Sequence, residues 1–194
     1  MKFTKPVILA SQSPRRIQLL RQIGWDAAVM PCNVPEEFDT RRTPIDNAKD
    51  LALKKARCVA AQVKEGIIIG ADTIVVLDGE MLGKPNNGED AVRMLERLSG
   101  RTHTVVTGVA LVEVPGDRSV VEVESTKVTF REIPEEEIRE YVDGGSPLDK
   151  AGAYGIQDDY GAVFVTRIEG CYYNVVGLPL ARLHAMMRVF QELA

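Results

Sequence analysis

The run Ile67-Ile68-Ile69-Gly70-Ala71-Asp72-Thr73-Ile74-Val75-Val76 constrains the fold more than any other part of this chain. Its apolar residues are continuous rather than alternating, so a strand built from it has both faces covered, as in a sheet with helices on either side. Asp72 breaks the pattern. An ionised carboxylate in a buried strand is costly unless it is paired or holds a metal. Two readings stay open here: an aspartate that caps neighbouring backbone amides, and a functional acid. Gly70-Ala71 just before it would leave room for a ligand to approach.

The segments around this strand alternate in type. Val7–Ala10 is a short apolar strand, and Ser13 is placed to cap a helix that starts at Pro14 and stops at Gly24. Thr43-Pro44 repeats the start signal for a long helix to about Glu65, closed by Gly66. Asp78-Gly79 is a hairpin turn between the central strand and Glu80–Leu82. A helix over Glu89–Leu98 precedes two strands, His103–Val114 and Val120–Phe130, expected as an antiparallel pair. Another helix covers Glu135–Tyr141. Ala162–Ile168 and Tyr172–Val176 are expected to pair as strands around Glu169-Gly170, and a helix from Leu178 to about Leu193 closes the chain. Parallel and antiparallel signals are mixed, so the expected fold is a mixed twisted α/β sheet flanked by helices. With no linker or repeat, residues 1–194 form a single domain.

Composition narrows the partners. A 45% hydrophobic and 27% charged chain is that of a globular protein rather than a disordered one. A net charge of -4 argues against a general nucleic-acid binder. No apolar run approaches the roughly 20 residues that span a bilayer, and the first ten residues lack a signal-peptide pattern. A cytoplasmic protein with no membrane partner is expected. Cys32, Cys58 and Cys171 are far apart and form no CxxC, so neither a disulfide nor a zinc finger is expected. His103 and His184 are the only histidines, which excludes a His-rich metal site. Any metal would take oxygen ligands, which points to Mg²⁺ or Mn²⁺.

Further polar residues stand where the pattern wants apolar ones. At helical spacing, Ala48, Leu51, Ala52, Lys55 and Val59 share one face, so Lys55 lies inside the stripe that faces the protein. It is either a snorkelling lysine or a cation held at a phosphate pocket. Ala10-Ser11-Gln12-Ser13-Pro14-Arg15-Arg16 joins a strand to a helix. Free backbone amides, two hydroxyls and two guanidiniums make an anion site there, the alternative being an ordinary capped helix with solvated arginines. Weaker signals are Lys84 in Gly83-Lys84-Pro85, Lys150 in Asp149-Lys150-Ala151-Gly152, the acidic turn Glu36-Glu37, and the glycine-rich stretch Gly152–Gln157.

Taken together in order, these segments resemble the Maf family. The residues are Leu9–Arg16, Gly70-Ala71-Asp72-Thr73, Gly79-Glu80-Met81-Leu82-Gly83-Lys84-Pro85, Leu98-Ser99-Gly100, Asp149–Gln157 and Val176-Gly177-Leu178-Pro179-Leu180. The resemblance implies a fold akin to inosine-triphosphate pyrophosphatases, with two lobes around a cleft. It also implies a divalent-metal-dependent pyrophosphatase that hydrolyses dTTP and UTP to the monophosphate and pyrophosphate. The proton acceptor falls on Asp72, and the specificity positions on Arg15, Thr73 and Gln157. A second branch, which prefers 7-methyl-GTP, is less similar at these three places. Ser11 matches the phosphate loop, and Glu36, Lys55 and Lys84 the family's other charged cleft residues; Ser13 and Arg16, at the same helix start, are expected to bind phosphate with them. Asp72 and Glu36 are the implied metal ligands. Pro35 replaces the first of two acids usual in relatives, which makes Glu36 the cleft acid and Glu37 its fallback. A homodimer is compatible with the resemblance. The rival readings are a non-catalytic nucleotide-binding regulator of cell division and a purine-directed house-cleaning pyrophosphatase. Asp72 and Glu36 speak against the first, and Gln157 and Thr73 against the second.

Overall fold

A computed structural model describes residues 3–116, 118–157 and 160–192. The strands are β1 (Val7–Leu9), β2 (Ala28–Val29), β3 (Gly66–Leu77), β4 (Glu80–Leu82), β5 (Thr102–Val114), β6 (Ser119–Phe130) and β7 (Val165–Glu169). The helices are α1 (Pro14–Gln22), α2 (Pro44–Ala60), α3 (Gly88–Leu98), α4 (Glu135–Asp143), α5 (Tyr172–Val176) and α6 (Leu180–Glu192), with three short 3₁₀ turns between Ser146 and Phe164. The seven strands form one sheet in the order β2-β1-β3-β5-β6-β7, with β4 paired to β3. The mixed α/β sheet expected from the sequence is the one observed.

The residues separate into two compact units, each assembled from distant segments. One comprises the chain up to Asp72, Thr107–Glu124 and the chain from Gly177; the other comprises Thr73–Val106 and Ser125–Val176. Strand β3 contributes to both, and its pairing changes along its length. In the first unit it runs parallel to β1, with Ile8 opposite Ile68. In the second it runs antiparallel to β4, with Val76 opposite Met81. This change explains why the sequence signals are mixed. The turn between β3 and β4 places Asp78 and Gly79 at positive φ, 50° and 83°, the conformation that Asp-Gly favours in a tight hairpin.

The first unit is organised by α2. Thr43 caps it by accepting a hydrogen bond from the Asp46 amide, and Pro44 starts it. Its buried face then presents Ala48, Ala52 and Ala56, all wholly inaccessible. Opposite lie Gly70 of β3 and Gly108 of β5. A Cβ on Gly70 would lie 2.2 Å from the Ala52 carbonyl oxygen, and one on Gly108 would lie 2.2 Å from that of Ala48. Helix and sheet therefore meet backbone to backbone. Ile8, Ala10, Val59, Ile68, Ala110 and Val112 fill the space around this contact. Gly70 admits the helix, which replaces the expectation that it makes room for a ligand.

Other expectations are corrected as well. Helix α2 ends at Ala60 rather than Glu65, because the chain must turn for the Ile67 amide to reach the Pro6 carbonyl, and Gly66 opens β3. Ser13 precedes α1 but its side chain caps nothing. Tyr172–Val176 is a helix, not a strand: β7 pairs with β6, and the fully buried Asn174 donates to the Val105 carbonyl and to Thr126 Oγ1. Cys32 and Cys58 form a disulfide with Cα atoms 6.2 Å apart, although 26 residues separate them in sequence. Packing of Cys32 against the cluster beneath α2 brings the two together. Among the described residues no helix is long and apolar enough to cross a membrane.

Gly70→Ala is expected to lower stability by about 1–3 kcal/mol, the usual cost of overpacking a filled core. Chemical denaturation measures this. An unchanged midpoint would show that α2 and β3 do not approach so closely.

Candidate active site

Lys55 faces inward on α2, one residue short of the Ala56 contact with the sheet, and is only 7% exposed. Asp72 is 5% exposed and lies two residues beyond Gly70 on β3. The backbone approach at Gly70 thus brings a buried ammonium and a buried carboxylate together. Lys55 Nζ donates to Asp72 Oδ1 at 2.6 Å and to Glu36 Oε1 at 2.6 Å. One ammonium is shared by two carboxylates. Glu36 lies on the exposed loop after β2, and its partly accessible side chain opens the group to solvent on that side. Glu36, not Glu37, is the acid that joins the cluster.

Arg16 completes it from α1. Its Nε donates to the Gly177 carbonyl at 2.8 Å, and its Nη1 to the Ala71 carbonyl at 2.9 Å and to Ser11 Oγ at 3.2 Å. The Ser13 amide also donates to Ser11 Oγ. Arg16 therefore ties the start of α1 to the residue before Asp72. Burial lowers the guanidinium pKa, and the Asp72 and Glu36 carboxylates oppose that shift. Burial likewise raises the Asp72 carboxyl pKa, with Lys55 and Arg16 pulling the other way. An acid held above its usual range accepts a proton more readily than an exposed one. The first turn of α1 contains no acidic residue to occupy its positive end.

The first unit thus gathers Ser11, Arg16, Glu36, Lys55 and Asp72, with the half-buried Arg15 beside Arg16. Thr73, Lys84 and Gln157 belong to the other unit. There Thr73 and Gln157 are half-buried and Lys84 is exposed. The Gly152 amide donates to the Gly83 carbonyl at 3.0 Å, which ties the turn carrying Lys84 to the stretch that ends in Gln157. Gly152 has φ 70°, and a Cβ there would press on Val75 at 2.9 Å.

Sequence reasoning missed two features. The carbonyls that hold Arg16 are invisible in side-chain patterns. His103 is buried on β5 with Nε2 2.8 Å from the hydroxyl of Tyr154, a residue of the stretch from Lys150 to Gln157. Phe130 packs against both rings. A lone histidine at the head of an apolar strand was the available signal.

Fold and cluster together define a class: an α/β protein in which two cations and two carboxylates are gathered beside a helix start. The chain belongs to the Maf-like protein family, whose model matches residues 6–190. It is 53% identical over 187 residues to a protein of Dictyoglomus turgidum named dTTP/UTP pyrophosphatase, with 96% of each chain covered. A protein of Carboxydothermus hydrogenoformans with the same name is 51% identical over 182 residues, covering 94% of this chain and 97% of that one. Among solved structures, a HAM1 protein from Coxiella burnetii aligns with a TM-score of 0.55 at 16% identity, over 96% of this chain and 98% of that one. That likeness carries the fold alone.

Burial holds the pKa of His103 down to about 4, against 6.5 ordinarily. Between pH 6.5 and about 4 the unfolded chain therefore binds a proton at this site that the folded one does not. Stability from the neutral ring is whole above pH 6.5 and is lost as pH falls through that window. The total is about 3 kcal/mol, an order-of-magnitude figure. His103→Gln, which keeps a partner for Tyr154, is expected to flatten the pH dependence of denaturant unfolding between pH 6.5 and 4. An unchanged slope would contradict it.

Proposed function

We propose that this chain is a nucleoside triphosphate pyrophosphatase that hydrolyses dTTP and UTP to the monophosphate and pyrophosphate in the cytoplasm. The observation that carries the reading is the buried Lys55 ammonium bound at 2.6 Å by both Asp72 and Glu36. The activity named for the relatives supports it.

The chemistry follows from charge. Hydrolysis at an α-phosphorus needs a nucleophilic water, compensation for charge on the phosphate oxygens, and a leaving pyrophosphate. The phosphates would lie against the Ser11–Arg16 turn, where the backbone amides and the Ser11 and Ser13 hydroxyls face an anion. Arg16 acts there through its charge, since Nε and Nη1 donate to the protein itself. Lys55 and Lys84 add positive charge. Asp72 takes a proton from water as its oxygen bonds to the α-phosphorus, and the bond from that phosphorus to the bridging oxygen breaks. Lys55 holds Asp72 in position for this. Of the base-selecting residues, Gln157 both donates and accepts along a pyrimidine edge; Thr73 and Arg15 are the other two the family resemblance implies.

Asp72 and Glu36 suit a divalent cation. Both offer hard oxygen donors, and both bind the Lys55 ammonium, which supports the reading. Among the described residues no group of three or more His, Cys, Asp or Glu side chains gathers to hold a metal. The remaining ligands would thus be phosphate oxygens and water, as Mg²⁺ prefers. When bound, the cation neutralises charge on the phosphate oxygens.

Asp72→Asn is expected to keep the circular-dichroism spectrum and to lower kcat for dTTP, assayed with Mg²⁺ or Mn²⁺, by about 10²- to 10⁴-fold, the contribution of a positioned base. Turnover near that of the unsubstituted protein would remove Asp72 from the chemistry.

A further inference from the structure

Lys150 is 7% exposed, and lysine is among the residues least often fully buried. It stands between the 3₁₀ turns Ser146–Asp149 and Ala151–Ala153 in extended conformation. Its ammonium lies 3.1 Å from Asp149 Oδ1. The side chain of Asp149 is 58% exposed, so the pair does not exist to shelter a buried carboxylate.

The stem of Lys150 occupies a slot that Gly155 leaves open. A Cβ on Gly155 would lie 2.8 Å from Lys150 Cε and 3.1 Å from Cδ. The same point lies 3.8 Å from Gln157 Nε2. The missing side chain of Gly155 therefore leaves room for the stem of Lys150 beside the amide of Gln157. The stretch between them is held by the His103–Tyr154 bond and by the Gly152 amide on Gly83.

We propose that Lys150 is a base-reading residue: beside Gln157, its ammonium donates to a ring carbonyl of uracil or thymine and opposes the amino group of cytosine. This rests on the pyrimidine reading of the site. Uracil and thymine present two carbonyl acceptors around an N3–H donor, whereas cytosine presents an amino donor in place of O4. The amide of Gln157 pairs with N3–H and one carbonyl by donating and accepting together. An ammonium can only donate, so with Gln157 on N3–H and O2 it matches O4 and meets the cytosine amino group there donor to donor. A site built around a hydrogen bond rejects the partner that cannot make it, because a buried group is then left unpaired.

The test compares kcat/KM for UTP, dTTP, CTP and GTP in the unsubstituted protein, in Lys150→Met and in Gly155→Ala, with pyrophosphate as the product measured. Lys150→Met keeps the apolar stem and removes the donor. Gly155→Ala keeps the charge and fills the slot. Both are expected to lower the UTP-to-CTP preference by roughly 10- to 100-fold, the discrimination of one well-placed base contact. An unchanged preference in a folded Lys150→Met protein overturns the proposal. So does an equal loss on all four nucleotides, which would move Lys150 to the phosphates. If Lys150→Met does not fold, Gly155→Ala decides. Failure of both to fold assigns Lys150 to the structure and also overturns it. An unsubstituted protein that releases no pyrophosphate from UTP or dTTP refutes the pyrimidine reading itself, an outcome distinct from the others.

Discussion

Helix α2 rests on β3 and β5 at backbone distance because Gly70 and Gly108 have no side chains to hold it away. The alanines that meet them, Ala48, Ala52 and Ala56, keep the helix surface equally flat. Lys55 sits in this surface, and its side chain is buried there. Asp72 follows Gly70 by two residues on the facing strand. The 2.6 Å bond between them is thus a consequence of packing as well as of charge. Arg16 depends on the same arrangement, since it holds the carbonyl of Ala71, between Gly70 and Asp72.

Stability does not account for the cluster. Arg16, Lys55, Asp72 and Glu36 carry two positive and two negative charges, three of them on buried residues. Burying ions is expensive, and apolar residues of similar size often serve a fold as well or better. Removing one partner from such a group costs about 3–5 kcal/mol because the other charge stays buried. The α1 start likewise has no acid in its first turn and no side-chain cap from Ser13 to offset its positive end.

The sequence made some of this legible and hid the rest for identifiable reasons. Asp72 and Lys55 stood out because each breaks an apolar pattern whose period is known. Glu36 did not, since an acid in a loop breaks no pattern; its bond to Lys55 spans 19 residues and exists only once the loop is placed. Gly70 was visible, but whether a glycine makes room for a ligand or a helix depends on what faces it. The Cys32–Cys58 bond was hidden in the same way. Tyr172–Val176 has the composition of a strand, and became a helix because Asn174 finds its partners inside the second unit. Local propensity gives way there to a buried polar group that must be satisfied.

The central claim is that water activated at Asp72 attacks the α-phosphorus, and the fate of the water oxygen tests it. Hydrolysis of dTTP in water enriched in oxygen-18 is expected to place the label in thymidine monophosphate, with none in the pyrophosphate. Label in the pyrophosphate, or orthophosphate as the first product, would locate the attack on another phosphorus and contradict the account.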